Sequence, residues 1–331
     1  MTAYKRRRYL LMTTDPVHIG TGGYRLGRVD NSIVREPGTR VPKIPGTSLH
    51  GAIRSYAAQL YGTPEAAGQS HDKVEKPEEN PVCYTFGYTK KEKKGDDEKT
   101  MAYSGVVNIF DAHVLLFPVH SMVGPVWVST LRRLKEAGFS IQKDGREVLE
   151  EPEQGDVLPT WQRDKSLNLG WLMVNVAGKV TVTAPKEWKE TERWKAVCKR
   201  LVLVGESLFG HVVNSNLEVR TSVAIDPKQG AAEEGALFTY EAIPRATFLT
   251  AEIVLDDYRN DFPRQKTTTE RKPLPAGKWE DPLCVVEAGL QLIEWLGIGG
   301  MGTRGFGRMA IVGNPIDEEY NKKIKNDKEA L

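Results

Sequence analysis

The chain has 331 residues, 40% of them hydrophobic and 27% charged, with a formal net charge of +2. That length can bury one large core or two modest ones, and the near-neutral balance excludes a globally basic nucleic-acid coat while leaving room for local basic grooves. No apolar run reaches the ~18 residues of a membrane span. Cys83, Cys198 and Cys284 are odd in number and scattered, which argues against a disulfide framework or zinc knuckle and reads as buried thiols in a reducing cytoplasm.

In chain order, the basic cluster Lys5-Arg6-Arg7-Arg8 is a candidate local groove, and Tyr9-Leu10-Leu11-Met12 after it reads as part of a first strand over 4–14. A glycine loop follows at Gly20-Thr21-Gly22-Gly23, then an extended stretch through Val29 and Val34. After Pro45-Gly-Thr-Ser48, the residues Leu49, Ala52, Ile53, Tyr56, Ala57 and Leu60 make one apolar helical stripe, with Thr47 or Ser48 as the expected N-cap. Residues 63–104 read as an insertion, loop-like up to about 100, with Lys90 to Lys99 nearly all charge. Val106–Phe110 and Val114–Phe117 read as buried strands, 126–137 as a helix, and 141–168 as a polar insertion. The stretch 211–244 is expected to hold a long hairpin: Val219, Thr221, Val223 and Ile225 alternate, and Asp226-Pro-Lys-Gln-Gly230 supplies the turn. A strand at Phe248–Leu255, a polar insertion at 256–282, a helix at Cys284–Leu296, a second glycine loop and a strand at Arg308–Val312 follow. The tail 314–331 is charged and expected to fray. Strands and helices mixed without βα alternation point to an α+β class.

The second loop contains Gly300-x-Gly302-x-x-Gly305, but a helix precedes it and a strand follows, the reverse of a dinucleotide site, and neither loop ends in Gly-Lys-Ser/Thr. Two readings stay open. Main-chain N–H groups with Arg304 or Arg308 meet a polynucleotide backbone, or the glycines permit a tight crossover packed on the first loop. Around the first loop stand His18, Asp30, Asn31, Arg35 and Glu36, and on the helix His50 and Arg54 at i and i+4. The last two share a face near a helix N-terminus, which suits a phosphate; the alternative is an ordinary solvated face. Asp30 is the carboxylate in position to hold a divalent cation beside a phosphodiester; its alternative is an Asx turn.

The segments His18-Ile-Gly-Thr-Gly22, Arg28-Val-Asp-Asn-Ser-Ile-Val-Arg-Glu36 and Ile44-Pro-Gly-Thr-Ser-Leu-His-Gly-Ala-Ile-Arg54 resemble the N-terminal signature of the RAMP superfamily of CRISPR proteins, and Gly299–Gly307 resembles its C-terminal glycine loop. Residues 105–121 are similar to a segment of the type III-B (Cmr) backbone subunit, and 220–226 with 233–238 and Glu241 resemble the hairpin shared by the Cmr and Csm backbone subunits, the Cas7-type subunits of type III effector complexes. The resemblance covers about half the chain. It implies one RAMP domain over 1–331: an RRM-like (ferredoxin-like) palm with a β-hairpin thumb. It also implies copies stacked along a CRISPR guide RNA with other Cas subunits in a prokaryotic cytoplasm. Target RNA would be cut at regular intervals by metal-dependent endoribonuclease chemistry, with Asp30 as catalytic metal-holding carboxylate, Mg2+ or Mn2+ as cofactor, and His18 at the matching histidine. RNA contacts are implied for Arg28, Arg35, His50, Arg54, Gly300, Gly302, Arg304 and Gly305. His50 stands where many relatives have Lys, and Ser32 where many have Pro. A silent scaffold of the same complex and a stand-alone processing ribonuclease using His18 or His50 are the competing readings.

Overall fold

The alternation Tyr9, Leu10, Leu11 sets the layering of the molecule. Tyr9 and Leu11 enter one hydrophobic cluster and Leu10 the other, so the first strand is buried on both faces. The computed structural model describes residues 4–22, 29–68, 73–94, 97–228, 230–263 and 279–320. Its centre is β1 (Lys5–Thr13), α1 (Gly46–Tyr61), β2 (Ala112–Val119), then α2 (Glu206–Ser215), a hairpin of β3 (Glu218–Asp226) and β4 (Ala231–Ala242), β5 (Phe248–Leu255), α3 (Pro282–Leu296), β6 (Met309–Ile311) and β7 (Ile316–Glu319).

The central strands lie in the order β2-β5-β1-β6, with each neighbouring pair antiparallel. Beyond β2 the same sheet continues through Val126–Ser129, Leu201–Leu203, Asp156–Pro159, Leu172–Val176 and Leu167–Leu169, and parallel pairs there make it mixed. The fold is thus α+β, with separate small hairpin sheets outside the large one. Helices α1 and α3 cover one face through Leu49, Ile53 and Ala57 on one and Val286, Leu290 and Ile293 on the other. The opposite face is closed by Leu131, Leu134, Trp188 and Trp194. No described helix is long and apolar enough to cross a membrane.

Several expectations are corrected. Val126–Ser129 is a strand, because its two valines face the core, and the helix starts only at Leu131 behind the Thr130 cap. The stretch 63–104 carries a two-stranded hairpin, Gly87–Lys94 with Asp97–Ser104, rather than a loop throughout. Residues 156–159, inside the expected insertion 141–168, are integral to the sheet. Residues 211–215 finish α2, so the hairpin runs from 218 to 242. The start of the tail is β7, paired with β1, and the basic cluster is consumed there: Arg6 meets Glu318, Arg7 meets Asp317 and Arg8 meets Glu252. Residues 264–278 of the third expected insertion and 321–331 of the tail lie outside the described residues. Cys83 alone of the cysteines is fully buried, and burial pushes its thiol up to about 11.

The two covering helices touch backbone to backbone. A Cβ built on Gly289 of α3 would lie 2.4 Å from the Ile53 carbonyl oxygen of α1, whereas one on Gly51 would meet nothing within 4 Å. Gly289→Ala is therefore expected to destabilise the chain by about 1–3 kcal/mol through overpacking. Gly51→Ala should instead stabilise by about 0.5–1 kcal/mol through helix propensity, both read from denaturant unfolding.

Candidate functional site

Both glycine loops and the base of the hairpin meet at His18. Its backbone bridges Gly300, whose N–H donates to the His18 carbonyl at 2.9 Å. A Cβ on Gly299, at φ +84°, would stand 2.4 Å from that same oxygen, so only glycine allows the second loop this close. The tight-crossover reading therefore accounts for Gly299 and Gly300. Gly302 and Gly305 differ: nothing lies within 4 Å of a Cβ there, so that part of the loop is open to an approaching ligand.

The His18 ring is 6% exposed. Its Nδ1 lies 2.6 Å from the Glu241 carbonyl, which can only accept, so Nδ1 carries a proton. Its edge meets the Tyr240 ring, and Nε2 faces Gly20. This burial makes His18 a tie between loop and hairpin, which counts against a free proton shuttle.

Asp30 is exposed and is held by the hairpin. Asn31 pairs in parallel with β4: its N–H donates to the Thr239 carbonyl, and Glu241 N–H donates to the Asn31 carbonyl, each at 3.0 Å. This short ladder sets Asp30 beside Thr239. The Thr239 N–H and hydroxyl both donate to Asp30 Oδ2, at 2.8 and 2.9 Å, and the same hydroxyl accepts from the Asp30 N–H at 3.0 Å. These donors, the Thr239 N–H foremost, hold the carboxyl below its ordinary range. The carboxylate is ionised near neutrality, and Oδ1 is left for an incoming partner.

The hairpin has two chemically different faces. Residues opposite one another across an antiparallel pair point to the same side. Val219, Thr221 and Val223 therefore share a face with Glu241, Thr239 and Leu237. Towards the tip this face is apolar and exposed, with Val223 at 42% and Leu237 at 64%; at its base it holds the Asp30 contact. The other face carries Arg220, Tyr240 and Phe238 against the second glycine loop. Arg304 donates to the Tyr240 hydroxyl at 2.6 Å, and Arg220 lies over the Phe306 ring.

The remaining candidates separate from this site. Arg35 is bound on three sides, by Glu241 at 2.5 Å, Asn214 at 2.9 Å and the Ile33 carbonyl, in a nearly buried ion pair. Arg54 is 9% exposed, with its guanidinium on the carbonyls of Ala66 and Gly87. Both expectations of a phosphate contact are therefore corrected: the donors serve the fold, and the helix face carrying Arg54 is not solvated. His50 packs edge-on against Phe86, and burial followed by the Arg54 charge pushes its pKa down, so it is neutral at pH 7. The helix N-terminus is taken as well. Its N-cap is Pro45 rather than Thr47 or Ser48, and Asp111 accepts the Gly46 N–H at 2.7 Å. Arg28 lies outside the described residues.

Three metal-type ligands converge, among the described residues, at Glu36, Asp111 and His113 rather than at Asp30. The Lys43 ammonium already sits 3.1 Å from Glu36 and 2.6 Å from Asp111, and these contacts raise the Lys43 pKa. The group borders a cavity of about 840 Å³ that neither His18 nor Asp30 lines. Thr239 and Tyr240 were missed as site residues because the Asp30–Thr239 contact spans 209 positions.

The profile of the RAMP superfamily matches residues 10–310. The CRISPR system Cmr endoribonuclease Cmr4 of Pyrococcus furiosus is 26% identical over 264 residues, 76% of this chain and 82% of that protein. The Cms endoribonuclease Csm3 of Mycobacterium tuberculosis is 40% identical over 52 residues, 16% of this chain and 22% of that protein. Among solved structures, a chain of the type III-B Cmr-beta complex bound to cognate target RNA superposes with TM-score 0.55 at 15% identity, covering 93% of this chain and 96% of that one. Oligomeric Cmr4 from Pyrococcus furiosus gives 0.53 at 18%, covering 96% and 99%.

The His50 environment generates a prediction about stability. Its folded pKa is below the ordinary 6.5, so the unfolded chain binds the proton more readily. The His50 contribution is fully present above pH 6.5 and is lost as pH falls below it, through the folded pKa. His50→Gln should flatten the fall in melting temperature between about pH 7 and 5 relative to wild type. Parallel melting curves for the two proteins would contradict this.

Proposed function

The chain belongs to the RAMP superfamily, and from that premise we propose that it is the repeated RNA-gripping backbone subunit of a type III-B Cmr effector complex and the subunit that cuts bound target RNA. The observation that carries the reading is the Asp30 carboxylate, ionised and exposed at the foot of a hairpin whose outer face is apolar. The Cmr4 and Csm3 relatives, both described as endoribonucleases, support the activity. The oligomeric Cmr4 and target-RNA-bound Cmr-beta structures support stacking of copies along RNA.

The order β2-β5-β1-β6, with α1 and α3 on one face, fits a ferredoxin-like palm, and β3–β4 fits its thumb. In a guide–target duplex the apolar side of Val223 and Leu237 would take the flat face of an unstacked base, while Arg220 and Arg304 on the other side meet phosphates. A splayed nucleotide can bring its 2′-OH in line with its own phosphate. The 2′-hydroxyl gives up its proton to solvent as its oxygen bonds to phosphorus, the bond from phosphorus to the 5′-oxygen of the next residue breaks, that oxygen takes up a proton from solvent, and a cyclic phosphate stays on the upstream product. The rate gain is then largely positional.

One carboxylate oxygen on an exposed loop fits a divalent cation of the Mg2+ kind only in company with waters and RNA phosphates, the ordinary coordination of that ion at phosphate sites. Asp30 Oδ1 would hold it, and when bound such an ion neutralises charge developing on the phosphate and leaving oxygen. His18 serves by locking the loop, and Arg35 by anchoring Glu241, whose carbonyl and carboxylate join loop, hairpin and α2.

The test is cleavage of labelled target RNA by the reconstituted guide-loaded complex. Wild type should give evenly spaced cuts that EDTA abolishes, and Asp30→Asn should lower the rate by about a hundredfold or more while target binding persists. A wild-type complex that binds guide and target but never cuts would make the chain a scaffold.

A further inference from the structure

The Asp30 carboxylate is aimed by the hairpin itself. Its backbone is set by the Asn31 ladder, but that ladder leaves the side-chain torsions of Asp30 free, and an exposed aspartate of this kind samples several rotamers. What removes that freedom is one residue, Thr239, through its hydroxyl and its main-chain N–H together. Its hydroxyl accepts from the Asp30 N–H and donates to Asp30 Oδ2, closing a ring between the main chain and carboxylate of a single residue. The Thr239 N–H adds a second bond to the same oxygen. Oδ2 is thus consumed, and Oδ1 points in one direction. Thr239 stands directly across the hairpin from Thr221, two cross-strand pairs below Val223 and Leu237 and on the same face. The residue that aims the carboxylate therefore belongs to the element that would enter the duplex.

We propose that Thr239 is the positioning residue for Asp30, coupling the seating of the hairpin in the guide–target duplex to the orientation of the cutting carboxylate. The inference rests on the nuclease reading above and adds a residue to it. The main-chain bonds survive Thr239→Val, whereas the hydroxyl ring does not. Valine keeps the shape and β-branching of threonine, so Thr239→Val removes the hydroxyl without unsettling the strand. Thr239→Ser keeps the hydroxyl and drops a methyl.

The experiment is single-turnover cleavage by saturating guide-loaded complex in Mg2+, with target affinity measured separately for wild type, Thr239→Val and Thr239→Ser. The expected result is a cleavage rate about tenfold to a hundredfold lower in Thr239→Val, as for a misplaced catalytic group, with unchanged target affinity. Thr239→Ser should recover most of the rate. Thr239→Val cutting at the wild-type rate would overturn the proposal. So would Thr239→Ser falling as far as Thr239→Val, or affinity falling in step with rate, since either would mark Thr239 as packing only. A wild-type complex that does not cut would remove the nuclease reading first and this inference with it.

Discussion

Everything at this site depends on how closely two backbones approach at His18. The second glycine loop lies against the His18 carbonyl at a separation that no side chain at Gly299 would allow. That contact seats the loop under the hairpin, so that Arg304 reaches Tyr240 and Phe306 lies beneath Arg220. Beyond the end of β1, Val17 bridges Ile243 just past β4, and His18 Nδ1 meets the Glu241 carbonyl. The hairpin is therefore clamped at its base on both sides, and its outer part, with Val223, Ile225 and Leu237 exposed, projects free of the core. A rigid base with an apolar tip is a mechanical requirement for separating stacked bases, because unstacking costs a few kcal/mol per step.

The rest of the molecule serves to hold that base still. The central sheet is buried on both faces, one under α1 and α3 and the other under the cluster around Trp188 and Trp194. Most basic side chains near the sequence motifs are paired within the fold. Arg6, Arg7 and Arg8 pair with acids on β5 and β7, Arg35 with Glu241, and Lys43 with Glu36 and Asp111. On the side of the hairpin away from Asp30, Arg220 pairs with Glu218 at 2.5 Å, and Arg304, held by the neutral Tyr240 hydroxyl, keeps its positive charge. That asymmetry fits a duplex gripped along one face and cut along the other.

The elements that were legible in the sequence are those whose apolar residues have a period, buried in α1 and exposed in β3. The stripe from Leu49 to Leu60 became α1, and the alternation from Val219 became β3. Asp30 was legible only through its glycine and arginine neighbours, and its partner Thr239 not at all, because nothing local announces a contact between a loop and a strand so far apart in the chain. Arg54 misled for the opposite reason. Its i, i+4 spacing with His50 suggested a solvated face, but Ala66 and Gly87 offer their carbonyls to its guanidinium. Val126–Ser129 misled because four residues ahead of a helix carry too short a pattern to separate strand from helix period.

The central claim is that the target strand runs along the Asp30 side of the hairpin. The most direct test is a cryo-EM structure of the guide-loaded complex with a target RNA carrying 2′-deoxy residues at the cut positions, which lack the attacking hydroxyl and leave Asp30 intact. The account predicts a nucleotide unstacked against Val223 and Leu237, with its phosphate about 4–5 Å from Asp30 Oδ1, the span of one bridging Mg2+ ion. A target strand lying instead along Arg220 and Arg304, with Asp30 facing solvent, would contradict it.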